Sequence, residues 1–89
     1  MLAEKDKIII QEISKKYQAK RVLLFGSSLD ATKESRDIDI AVEGIPPMDF
    51  FRYYGELLFA LSKPVDIIDL SDNSKFTSII KQEGVPIYG

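Results

Sequence analysis

The chain has 89 residues, 45% of them hydrophobic, and a formal net charge of −2. That is apolar material for one small core, so residues 1–89 are expected to form a single domain, and it is too little positive charge for a dedicated nucleic-acid binder, which needs a basic face to displace counterions. There is no cysteine and no histidine, which excludes disulfides, thiolate metal sites, Ser-His triads and imidazole bases, and leaves chemistry to carboxylates, hydroxyls, Lys, Arg, Tyr and bound ions.

In chain order, Met1 to Lys7 is polar and mixed in charge, unlike a signal peptide. No apolar run approaches the ~20 residues that span a bilayer. A cytoplasmic protein without membrane contact is therefore expected. Ala3 to Tyr17 carries Ile9, Ile10, Ile13 and Tyr17 at helical spacing, with Lys, Gln and Glu between them. Arg21 to Phe25 is a compact apolar run that suits a buried strand ending at Gly26. The Gly26-Ser27-Ser28 turn is expected to open a short helix.

Asp37 to Val42 alternates acidic and aliphatic residues, the period-2 mark of a strand. Asp49 to Leu61 is predicted helical, with Phe50, Tyr54, Leu57, Leu58 and Leu61 as its stripe. Phe51, Tyr53 and Phe59 widen that arc beyond a normal stripe. Either the helix is buried all round, or it meets a like subunit or a helical partner. Val65 to Leu70 is a third short strand, and Ser74 to Glu83 a last helix capped from the Ser71–Ser74 cluster. Val85 to Tyr88 can add an edge strand, where Pro86 is tolerated. The order α-β-α-β-α-β-α, with three or four strands, defines an α+β fold of helices on a small mixed sheet.

Three segments can carry chemistry. On a strand, Asp37 and Asp39 share one face and Ile38, Ile40 and Val42 the other. The two carboxylates stand about 6.5–7 Å apart at Cα, close enough to grip one cation. Hard oxygen ligands favour Mg²⁺ or Mn²⁺. Asp-x-Asp is short and common, and taken alone it equally describes a strand with polar outer positions. Gly26, directly after an apolar strand, permits a tight turn and close backbone approach to a ligand. With Ser27 and Ser28 it suits a phosphate cradle, although a serine-capped turn is the commoner use of such residues. On the third strand, Asp66 and Asp69 face opposite sides, so only one can join the other acids. Asp66 otherwise pairs with Lys63 or ends a strand, and Asp69 otherwise serves the turn beside Ser71. Together the three segments fit metal-assisted phosphoryl transfer.

Val22-Leu23-Leu24-Phe25-Gly26-Ser27, then nine residues, then Asp37-Ile38-Asp39-Ile40-Ala41-Val42, and later Pro64-Val65-Asp66-Ile67-Ile68, resemble the polymerase-beta-like nucleotidyltransferase superfamily. The match is to its minimal prokaryotic branch, the antitoxin side of HEPN/MNT pairs, and spans nearly the whole chain. The resemblance implies that Asp37, Asp39 and Asp66 bind the metal and are catalytic. Asp66 would assist deprotonation of the acceptor hydroxyl. Gly26, Ser27 and Ser28 would hold the nucleotide, ATP or another NTP. It further implies a small helical HEPN-type toxin as partner, with AMP passed to one of its tyrosines. Many relatives follow Gly-Ser with Arg-Ala-Arg-Gly; here Ser28-Leu29-Asp30-Ala31 stands instead. Arg36 replaces a common serine, and Lys33 or Arg36 is left to supply positive charge. That departure motivates an alternative, a nucleotidyltransferase-fold module that neutralises or scaffolds its helical partner by contact alone.

Overall fold

The computed structural model describes residues 2–29 and 36–89. Its elements run α1 (Glu4–Lys16), β1 (Arg21–Leu24), a 3-10 turn (Gly26–Leu29), β2 (Ile38–Glu43), α2 (Pro47–Ala60), β3 (Val65–Asp69), α3 (Lys75–Glu83) and β4 (Val85–Tyr88). The expected order holds, the fourth strand is formed, and predicted ends shift by one or two residues.

The sheet order is β3-β2-β1-β4. β1 pairs antiparallel with both β2 and β4, whereas β2 and β3 are parallel and joined through α2. Parallel neighbours require such a crossover, because a tight turn can only reverse the chain. Pro86 lies on the edge strand as expected, opposite Leu23 and beside a register shift.

Period-2 alternation divides the sheet between two layers. Val22, Leu24, Ile38, Ile40, Val42, Val65 and Ile67 share a core with Ile10 of α1 and Tyr53 and Leu57 of α2. Leu23 and Ala41 turn the other way and pack with Leu70 and with Ile80 of α3. The sheet therefore has helices on both sides, and the face that carries the acids is partly covered by α3.

Local sequence explains the helix ends. α1 starts with Glu4 and Asp6 and finishes with Lys15 and Lys16, each set complementing the helix dipole. α2 begins with Pro47 in its first turn, where the missing N–H costs nothing. α3 opens with a capping box in which the Ser74 and Thr77 side chains each accept from the other's backbone N–H.

The stripe expected on α2 holds at Phe50, Tyr54, Leu57 and Leu61 and departs at one position, where Tyr53 is buried in place of Leu58. Tyr53 is fully buried, while Leu58 is 50% exposed. Phe50, Tyr53, Tyr54, Leu57 and Leu61 face the core, where the Tyr53 hydroxyl shares a buried hydrogen bond of 2.8 Å with Ser14 of α1. Burial all round is also excluded, since Phe51 is 85% and Phe59 95% exposed. Asp6, unremarked in the sequence pattern, is buried and accepts from the Ser62 backbone N–H (3.1 Å) and hydroxyl (2.5 Å). It ties the start of α1 to the turn after α2, and a buried carboxylate is sustained by such donors.

Candidate active site

Two strands and one turn bring the candidate residues together. In the parallel β2–β3 ladder, Ile38 is opposite Val65 and Asp39 is opposite Asp66. Ile38 and Val65 point into the α1/α2 core. Alternation therefore sends Asp39 and Asp66 together to the other face. Adjacent strands lie about 4.8 Å apart, so the two acids stand side by side on that face. Asp66 is exposed and Asp39 half-buried.

β1 contributes from the other side of β2. The Phe25 N–H donates to the Asp39 carbonyl (3.1 Å), which brings the following residue across the Asp39 side chain. That residue is Gly26, at φ +66°. A Cβ built on it would stand 2.9 Å from Asp39 Oδ2. Glycine thus answers two demands at once. The left-handed backbone disfavours any side chain, and the space beside the carboxylate stays clear of protein. Ser27 and Ser28 continue from Gly26 as backbone of the 3-10 turn.

Asp37 lies one residue before β2 and is exposed. Among the described residues, no group of three carboxylates is placed to hold one ion. The arrangement is a close pair, Asp39 with Asp66, and a third acid two residues along the chain from Asp39. Asp69 takes the other role foreseen for it, accepting from the Ser71 N–H at 2.9 Å. Asp30 and Lys33 lie outside the described residues.

The donor set fits a small hard cation. Magnesium is commonly held by one or two carboxylates, with waters and substrate phosphates completing its shell. Asp39 and Asp66 supply that number, and Gly26 brings backbone rather than a side chain against Asp39 Oδ2.

An apolar pocket of about 190 Å³ adjoins the glycine turn, lined by Phe25, Gly26, Leu29, Phe76, Ile79 and Glu83 among others. The Phe25 and Phe76 rings meet edge to face with centroids 6.1 Å apart. Sequence reasoning missed this pocket. Phe76 and Ile79 belong to α3, and nothing in the chain order links that helix to Gly26.

A mixed sheet with helices on both faces, a glycine turn after β1 and acids on β2 and β3 is the architecture of a nucleotidyltransferase. The family model for "Polymerase beta, Nucleotidyltransferase" matches residues 7–89, and the chain belongs to that family. No curated protein matches. Solved structures similar in fold include a toxin–antitoxin with AMP-PNP, 26% identical, aligned over 98% of this chain and 74% of that one with a TM-score of 0.74. The toxin–antitoxin MntA-HepT is 22% identical over 98% and 73% of the two chains, with a TM-score of 0.73. A structure from Shewanella oneidensis is 21% identical over 99% and 73%, with a TM-score of 0.74.

Proposed function

We propose that this chain is a metal-dependent nucleotidyltransferase that moves a nucleoside monophosphate, AMP from ATP, onto a hydroxyl of a helical toxin partner, a tyrosine of a HEPN-type protein, and thereby acts as its antitoxin in the cytoplasm. The observation that carries this reading is the pairing of Asp39 with Asp66 beside the side-chain-free Gly26. Membership of the nucleotidyltransferase family supports the reaction class. The similarity to a toxin–antitoxin with AMP-PNP supports the nucleotide and the kind of partner.

Asp39 and Asp66, with Asp37 beside them, would hold Mg²⁺ or Mn²⁺. When bound, the ion supplies charge neutralisation for the phosphates and the leaving pyrophosphate. Asp66, the more exposed member of the pair, accepts the proton of the incoming hydroxyl. Gly26 lets the polyphosphate approach Asp39 without a steric block, and the Ser27–Ser28 backbone continues that surface. Positioning and electrostatics carry most of the rate in such transfers, so a site without histidine is sufficient.

The test is transfer of label from α-labelled ATP to the partner in the presence of Mg²⁺. Asp66→Asn is expected to slow transfer about 100-fold or more, the usual size of a lost general base, with an unchanged melting midpoint. Partner binding and neutralisation without label transfer would instead establish an antitoxin that acts by contact alone.

A further inference from the structure

Nothing among the described residues accounts for the outward face of α2. Met48 is 85% exposed, Phe51 85%, Leu58 50% and Phe59 95%. At their centre is Gly55, in the interior of a 14-residue helix. Glycine is a poor choice there compared with alanine. A residue that needs the space or the backbone freedom would justify it, but a Cβ on Gly55 would meet no atom within 4 Å. Nor does Gly55 have positive φ. Nothing among the described residues makes use of this glycine, whereas a second helix crossing closely over it would.

The pattern around Gly55 is symmetric. Phe51 and Phe59 stand four residues before and after it. At 3.6 residues per turn they lean about 40° to opposite sides of the Gly55 direction. Beside Phe59 runs a groove of about 610 Å³ lined by Ile13, Tyr17, Arg52, Gly55 and Glu56, among others. An isologous two-fold contact requires one surface to present both a projection and its receptor. This face presents both.

We propose that α2 packs antiparallel against α2 of a second copy of this chain, crossing at Gly55. In that arrangement Phe51 of one copy lies level with Phe59 of the other, on opposite flanks of the crossing, so the rings interleave. Phe59 of each copy enters the other's groove. The charges agree with this occupant. Arg52 and Glu56 lie on the flank that a two-fold axis preserves, and the axis sets Arg52 of one copy about 3 Å along the helix from Glu56 of the other, twice. Glu56 is held ready by Lys16 Nζ at 2.7 Å and by the Tyr17 hydroxyl.

Sedimentation equilibrium of the full chain over a wide dilution series is the test. A monomer–dimer equilibrium is expected, with Kd raised at least ten-fold by Gly55→Ala and by Phe59→Ser. Arg52→Glu should raise it more at low salt than at high salt. Because Phe59 is so exposed, its replacement leaves folding intact. Gly55→Ala is expected to act with opposite signs, raising the melting midpoint of the dilute monomer while weakening the dimer; a purely structural glycine could not do this. A monomer at every concentration, a dimer indifferent to these substitutions, or protection of α2 only when a helical partner is added would each overturn the proposal. Label transfer reads the acid site and sedimentation reads α2, so the two proposals fail separately.

Discussion

At the scale of single residues, the proposed site would depend on what is missing at position 26 as much as on the acids. Gly26 combines φ +66° with a backbone lying against Asp39. Gly26→Ala is expected to cost about 1–2 kcal/mol from the left-handed conformation alone, and more from the contact with Oδ2. Urea denaturation checks this. Replacing Asp39 by Ala in the same background should recover the contact part of the loss, since residues in contact are energetically coupled. The spacing of Asp37 and Asp39 predicted a shared strand face, whereas β2 begins at Ile38 and Asp37 stands one residue before it. Parity left Asp66 as one of two candidates and the family resemblance singled it out, but its nearness to Asp39 depends on β3 joining the sheet parallel to β2 in one register. That pairing is a long-range contact and leaves no local signature.

At the scale of elements, α2 shows how far periodicity goes. The pattern gave the helix and its length within two residues. It placed Phe50, Tyr54, Leu57 and Leu61 inward as observed and erred at Leu58, which is exposed while Tyr53 is buried, because aromatic and aliphatic residues surround this helix and hydropathy alone cannot choose among them. What hydropathy omits is a polar contact, the buried hydrogen bond of Tyr53 with Ser14 of α1. Tyr53→Phe is expected to lose about 1–3 kcal/mol by leaving the Ser14 hydroxyl buried without that partner, and Ser14→Ala in addition should return part of it. Burial pushes the Tyr53 phenol up to about 12, with the Ser14 hydrogen bond opposing. A folded-state value above the unfolded value near 10 means the neutral phenol is the form the fold favours. The stabilisation is therefore complete below about pH 10 and is lost as pH rises toward 12, a change of roughly 2–3 kcal/mol. Phenolate absorbance followed alongside unfolding should show Tyr53 ionising with loss of structure, and Tyr53→Phe should remove that high-pH step.

At the scale of the whole molecule, one sheet must serve two purposes. Its α1/α2 face supplies most of the buried apolar surface, while its α3 face shares space with the acids. A domain of this length has a stability of only about 4–13 kcal/mol. Leu57, fully buried in the larger core, is expected to cost about 2–5 kcal/mol when replaced by Ala. Calorimetry should then show the melting midpoint fall by about 10 °C or more. Because Leu57 belongs to the α1/α2 face rather than the acid face, the remaining folded protein should still transfer label at low temperature.

The sequence by itself determined the elements, their order and the candidate acids, because periodicity, capping residues and turn glycines act over a few neighbouring positions. It also excluded histidine and thiol chemistry outright. The tertiary structure alone decided which strand lies beside which, and hence that Asp39 meets Asp66 while Asp69 turns away to Ser71. It decided that α3 closes an apolar pocket against Gly26, and that α2 keeps a second apolar face outside. Each of these depends on contacts between residues far apart in the chain, whose partners are selected by packing and hydrogen bonding across the sheet rather than by local preference.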